Sequence, residues 1–207
     1  MKPIAIYTPK QMEEIIEIIS ENFGAGEFIA HETKSEYVHT DVNISDDGEM
    51  KNFVTFGMGA GRMNAPVEPF ERIELIMNAS QDVDITIPLG EIVRLSKFPF
   101  RNDTWLGIGH TLSFTDHFKN AFGYEYILLA PSSLFFSPKD TTNGVKSVVF
   151  LNVIPIYKDE REWIVENNSF VYLDLLYNKF GDDMFKVDVK REHYIPTDEE
   201  VDEINEL

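Results

Sequence analysis

Apolar Met12, Ile15, Ile16, Ile18 and Ile19 recur among acidic residues between Pro9 and Gly24, and this spacing predicts a helix over residues 10–22. From Glu27 to Ile44 the pattern changes to two β-type runs, "EFIAHE" and "YVHTDVNI". A turn signal, Asp47-Gly48, then leads into "FVTFGM", which predicts an antiparallel start to a sheet. In "FERIELIM" the residues alternate: Ile73, Leu75 and Met77 share one face with Glu71, and Phe70, Arg72, Glu74 and Ile76 share the other. Both faces are partly apolar, as a central strand requires. A helix is expected from Pro88, ending before Pro99. Strands follow in "GHTLSF", "YEYILLA" and "VKSVVFLNVIPIY", the last closed by Pro155. Two helical segments, "KDEREWIVEN" and "FVYLDLLYNKF", a weak strand "FKVDVK" and an acidic tail over 197–207 complete the chain. With no internal repeat and no break in composition, the 207 residues read as one α+β domain.

The three glycines after the first hairpin, Gly57, Gly59 and Gly61, invite a comparison with phosphate-binding loops. Such loops work because the turn delivers the anion to the free N–H groups of a helix N-terminus. Here Pro66 and Pro69 interrupt the following residues, the next segment alternates like a strand, and no Gly-Lys-Ser/Thr is present. A strand–loop–strand unit is expected, in which glycine allows an unusual turn or a close approach of another chain. Arg62 at the end of this loop, and Arg72 with Glu74 as same-face neighbours on the strand, are binding candidates, the latter two as a partly buried ion pair.

A composition of 43% hydrophobic residues, with 16 Phe and 8 Tyr, supplies an ample core, and a chain of this length buries roughly 70% of its unfolded surface. Cys is absent, which excludes disulfides, thiol chemistry and thiolate metal sites. Against 36 Asp and Glu stand 18 Lys and Arg, a net charge of −18 that repels polyanions, so nucleic acid is not an expected partner. No stretch reaches the ~20 apolar residues of a membrane span, and the first residues lack a signal-peptide core, so a cytoplasmic protein is expected.

Among the histidines, His39 and Asp41 project to one face of a strand, and His110 lies near Asp116 and His117. No helical HExxH or backed ligand pair accompanies them, so neither metal nor cofactor is expected. No nucleophile elbow occurs, and Glu160, Arg161 and Glu162 read as a solvated helix start. An enzyme of hydrolase type would have to gather His39, Asp41, His110 and Glu74 in a cleft of the sheet.

The series "FVTFGMGAGR", "RIELIM", "LGEIVRLSKFPF", "WLGIGHTLSF", "YEYILLAPS", "VVFLNVIPIYKDERE" and "YLDLLYNKF", taken in this order over roughly residues 30–195, resembles the Suppressor of fused domain. The resemblance implies a bent, mostly antiparallel or mixed sheet flanked by helices, with no known catalytic activity. In animals the namesake binds a segment of a Gli transcription factor between two domains, in an extended, strand-adding manner. Bacterial single-domain members are associated with toxin systems as immunity proteins. The second animal domain has no counterpart here, and Gly109 stands where the animal protein has an acidic residue before the histidine matching His110. Gli binding is therefore not carried over. The expected function is that of a non-enzymatic immunity or antitoxin-like protein that binds and neutralises another protein, a basic one such as a toxin. The alternatives are the small hydrolase and a housekeeping scaffold.

Overall fold

The computed structural model describes residues 5–29, 38–66 and 70–205. The ends of the expected strand run at 30–37, together with His31 and Pro69, lie outside the described residues. Helix α1 (Pro9–Phe23) starts where the sequence predicts, with Pro9 in the first turn, where a missing N–H costs nothing. A capping box closes its end: Thr8 Oγ1 accepts from the Gln11 N–H at 3.3 Å, and Gln11 Oε1 accepts from the Thr8 N–H at 3.0 Å.

Strands β1 (Glu27–Ile29), β2 (Asp41–Asp46) and β3 (Lys51–Phe56) form an antiparallel meander, and the Asp47-Gly48 turn joins the last two. Strand β4 (Ile73–Ala79) follows the glycine loop. The chain then forms α2 (Thr86–Arg101), β5 (Thr111–Ser113), α3 (Asp116–Phe122), β6 (Tyr126–Phe136) and β7 (Val148–Ile156). Helices α4 (Lys158–Glu166), α5 (Ser169–Phe180) and α6 (Asp198–Asn205) complete the order. Among the described residues seven strands make one mixed sheet in the order β1-β2-β3-β4-β7-β6-β5, in which only β4 and β7 run parallel. As its two apolar faces imply, β4 is central.

Alternation along β4 and β7 sorts the core into layers. Leu75, Met77, Leu151 and Val153 face α2 and α3, while Ile76, Val148 and Phe150 face α1. On this second face, toward β6, Leu128, Ile154 and Ile156 pack under α4, α5 and α6. Each fully buried residue of this kind, such as Ile15 or Ile19 of α1, contributes roughly 1.5–3 kcal/mol. Among the described residues no helix is long and apolar enough to cross a membrane.

Five features depart from what the spacing of apolar residues predicts. Helix α2 continues through Pro99 to Arg101, because a proline in the last turn removes only one ladder bond. Helix α3 has seven residues and one fully buried side chain, Phe118, which is too little for a visible period. Strand β6 runs past Ala130 to Phe136, irregularly between Pro131 and Phe135. The expected strand at 185–190 is reduced to one bridge between Lys186 and Asn78. The acidic stretch at the C-terminal end is not a tail but α6, whose Val201 and Ile204 pack against the α5 cluster.

Candidate functional site

The ladder between β3 and β4 ends at Val54 and Ile76, and the strands part. The Thr55 hydroxyl fills the gap: it accepts from the Leu75 N–H at 2.7 Å and donates to Glu74 Oε2 at 2.6 Å. Beyond Phe56 the chain turns at Gly57 (φ 108°), makes a 3-10 turn over Met58–Ala60 and leaves through Gly61 in extended form. This turn aims the N–H groups of Gly57 and Gly59 at Glu74 Oε1, each at 2.9 Å, and the Tyr7 hydroxyl donates to the same oxygen at 2.7 Å. The glycine loop therefore does cradle an acidic group, but that group is the protein's own Glu74.

The glycines are required by the geometry. At Gly57 the backbone is left-handed, and a Cβ would collide with the His39 carbonyl oxygen. At Gly59 a Cβ would lie 2.5 Å from the Tyr7 hydroxyl. Glu74 is completely buried, and desolvation raises its carboxyl above the usual range, against the pull of the four donors. Desolvation and the neighbouring carboxylate also push the Tyr7 phenol well up.

Arg72 and Glu74 do not form the expected ion pair among the described residues. They grip the loop from its two chemical ends: Glu74 takes the N–H groups, and the Arg72 guanidinium donates to the carbonyls of Gly59 and Ala60. Half-burial lowers the Arg72 pKa. Outside them, Arg62 makes a two-pronged pair with Glu71, with Nε at 2.9 Å from Oε2. These two residues line an open cleft with Met63, Asn64, Ala65 and Asp103. His39 and Asp41 pair with each other at 3.1 Å beside Gly57, since Asp41 stands opposite Phe56 in the β2–β3 register.

Gly109 and His110 lie elsewhere. The Gly109 N–H donates to the Leu129 carbonyl and the Leu129 N–H to that of His110, which fixes both residues on the β5 side of β6. A Cβ at Gly109 (φ 81°) would collide with Ser169 of α5. The His110 ring meets the Trp105 ring edge-on at 4.3 Å, and desolvation lowers its pKa despite a bond to the Trp105 backbone. From β2 to β5 the sheet order spans five strand spacings, about 24 Å. His39 and Asp41 therefore do not converge with His110, and none of the three touches the Glu74 carboxylate.

Sequence reasoning missed a second buried carboxylate. Glu160 is not at a solvated helix start: it is fully buried and forms a two-pronged pair with Arg191, Nη2 to Oε2 at 2.7 Å. It also accepts from the N–H groups of Tyr157 at 2.8 Å and Tyr194 at 2.9 Å. Arg191 lies against the rings of Tyr124, Tyr157 and Phe180 and ties residues after α5 back to the β7–α4 corner. The one local signal was Glu160 at the third helical position, from which a carboxylate reaches back to the N-cap N–H, here that of Tyr157. The partner, 31 residues on, left none.

Comparison with known proteins fits this architecture. The family model described as Suppressor of fused protein matches residues 36–192. A crystal structure of the Sufu–Fu complex superposes with a TM-score of 0.68 at 12% identity, covering 96% of this chain and 95% of that one. The crystal structure of Drosophila Suppressor of Fused gives 0.69 at 13% identity, covering 93% of this chain. The chain spans about half, 53%, of that Drosophila chain. No curated protein sequence matches significantly.

Proposed function

Since the chain belongs to the Suppressor of fused family, we propose that it is a non-enzymatic protein-binding domain that neutralises a basic partner protein, in the manner of an immunity protein or antitoxin. One observation carries the reading: the carboxylate most suited to chemistry in the sheet, Glu74, already accepts four internal hydrogen bonds and is sealed from solvent. The histidines that would serve it stand beside other strands, His39 just before β2 and His110 just before β5. What the surface offers is charge and shape. A related fold in complex with Fu supports a protein as the ligand class.

The net charge of −18 favours a cationic partner. Attraction between opposite charges raises association rates, up to ~10⁸–10⁹ M⁻¹s⁻¹ at low salt. A nuclease toxin would suit, because the surface that holds phosphates is the one an acidic inhibitor covers. The test is pull-down of the product of a neighbouring gene, followed by association kinetics. Between about 50 and 500 mM salt the Debye length falls from roughly 14 to 4 Å. The on-rate is expected to fall steeply over that range while dissociation changes less. A salt-insensitive on-rate, or an acidic partner, refutes the reading.

A further inference from the structure

Helix α5, "SFVYLDLLYNKF", is apolar on more than one side. Tyr172, Leu173, Leu175 and Leu176 are buried against β6 and β7. A second stripe, Phe170, Asp174 and Tyr177, is spaced four and three residues apart and faces outward. Phe170 is 55% exposed and Tyr177 52%, so two aromatic rings stand in solvent about 10 Å apart along one helix. Beside them α6 contributes Ile204, and the two helices enclose adjoining clefts of about 410 and 400 Å³ that share Asn178 and Ile204.

The rim of this groove is anionic. Asp174 borders the outer cleft, and Glu200 and Glu203 the inner one. Asp174 and Glu203 have no hydrogen bond or ion pair among the described residues. The Thr197 N–H and hydroxyl hold Glu200 ionised, with its pKa below the usual carboxylate range. Among the described residues the one cation in the lining, Lys179, is directed over the ring of Tyr194 at 4.5 Å.

We propose that the α5–α6 groove is the docking site for a cationic amphipathic helix of the partner protein, its apolar residues seated on Tyr177 and Ile204 and its Lys and Arg side chains on the rim formed by Asp174 and Glu203. The proposal deepens the reading of a basic partner and rests on it. The charge of the rim selects the occupant. Nucleic acid and anionic lipid are repelled, and a second copy would bring the same acidic rim against itself.

The test uses the full chain and two synthetic peptides: an amphipathic helix of Lys and Leu, and its counterpart with Glu in place of Lys. Amide chemical shifts report where each binds. The Lys peptide is expected to bind saturably, with shifts concentrated at residues 170–178 and 200–204, and the Glu peptide not to bind. Asp174→Lys with Glu203→Lys should weaken binding at least about tenfold, and Tyr177→Ala should weaken it through the apolar contact. The same charge change on α1, Glu17→Lys with Glu21→Lys, should alter it less than about twofold. Equal loss in both charge-reversed proteins, binding of the Glu peptide, or no saturable binding overturns the proposal. Saturable binding of the Lys peptide to another face removes the groove and leaves the basic-partner reading standing; a salt-insensitive on-rate of the natural partner removes that reading instead.

Discussion

Tyr7, just ahead of α1, donates its hydroxyl across 67 positions of sequence to Glu74 on the central strand, at 2.7 Å and with both side chains out of reach of solvent. This bond fastens the N-terminal segment to the loop that the rest of the carboxylate organises. The behaviour of the loop under substitution follows from it.

Glu74→Ala removes the acceptor from four donors at once, two of them backbone N–H groups. A loss of about 3–5 kcal/mol is expected, since several buried donors at about 1–3 kcal/mol each are left unsatisfied. Glu74→Gln retains an acceptor for three of the donors and should cost about 1–2 kcal/mol, as should Tyr7→Phe. Urea denaturation at neutral pH gives the order. Equal losses for Ala and Gln would mean that the hydrogen bonds contribute little.

The pH dependence isolates the same group. Burial raises the Glu74 pKa in the native state above the usual value of about 4.3. Its contribution is therefore fully present below that value and is lost as pH rises through the native pKa. Glu74→Gln stays neutral throughout. The stability of the Gln variant relative to the parent should thus increase as pH is raised from about 4, levelling off above the native pKa. Asp47 and Asp140, whose pKa values are lowered by hydrogen bonds, act in the opposite direction in both proteins and cancel in the difference. Denaturation curves at stepped pH measure it, and a flat difference would show that the carboxyl is not raised.

The Glu160–Arg191 pair should show the asymmetry of buried charges. Arg191→Met leaves the buried Glu160 carboxyl without its cation and is expected to cost about 3–5 kcal/mol. Adding Glu160→Gln should restore part of that loss, since no uncompensated charge remains. Thermal unfolding of the two proteins decides, and a double variant no better than the single one counts against the explanation.

Two glycines separate strain from collision. Gly48 (φ 92°) has open space where a Cβ would sit, so Gly48→Ala should cost only the left-handed backbone penalty, about 1–2 kcal/mol. Gly57→Ala adds a collision with backbone at His39 and should cost clearly more, above about 3 kcal/mol. Denaturation midpoints of the two variants test the contrast.

Elements with a strong local period were legible in the residues alone. Helix α1 lies between Pro9 and Gly24, the Asp47-Gly48 hairpin forms, and β4 is central because both its faces are apolar. The residues also indicated that the glycine loop joins strands, since prolines and an alternating segment follow it. These are properties of neighbours in the chain, where backbone preference and side-chain spacing act over a few residues. The remainder depends on packing between segments distant in the chain. That packing supplied Tyr7 and Thr55 to Glu74, brought Arg191 to Glu160, and kept His39 and His110 beside strands five spacings apart in the sheet. Each is a pairing of polar groups set by strand order and helix docking, and a buried charge leaves no period in the sequence to announce its partner. The acidic C-terminal stretch shows the same limit: its charges suggest a solvated tail, and only packing of Val201 and Ile204 against the α5 cluster makes it a helix with an inner side.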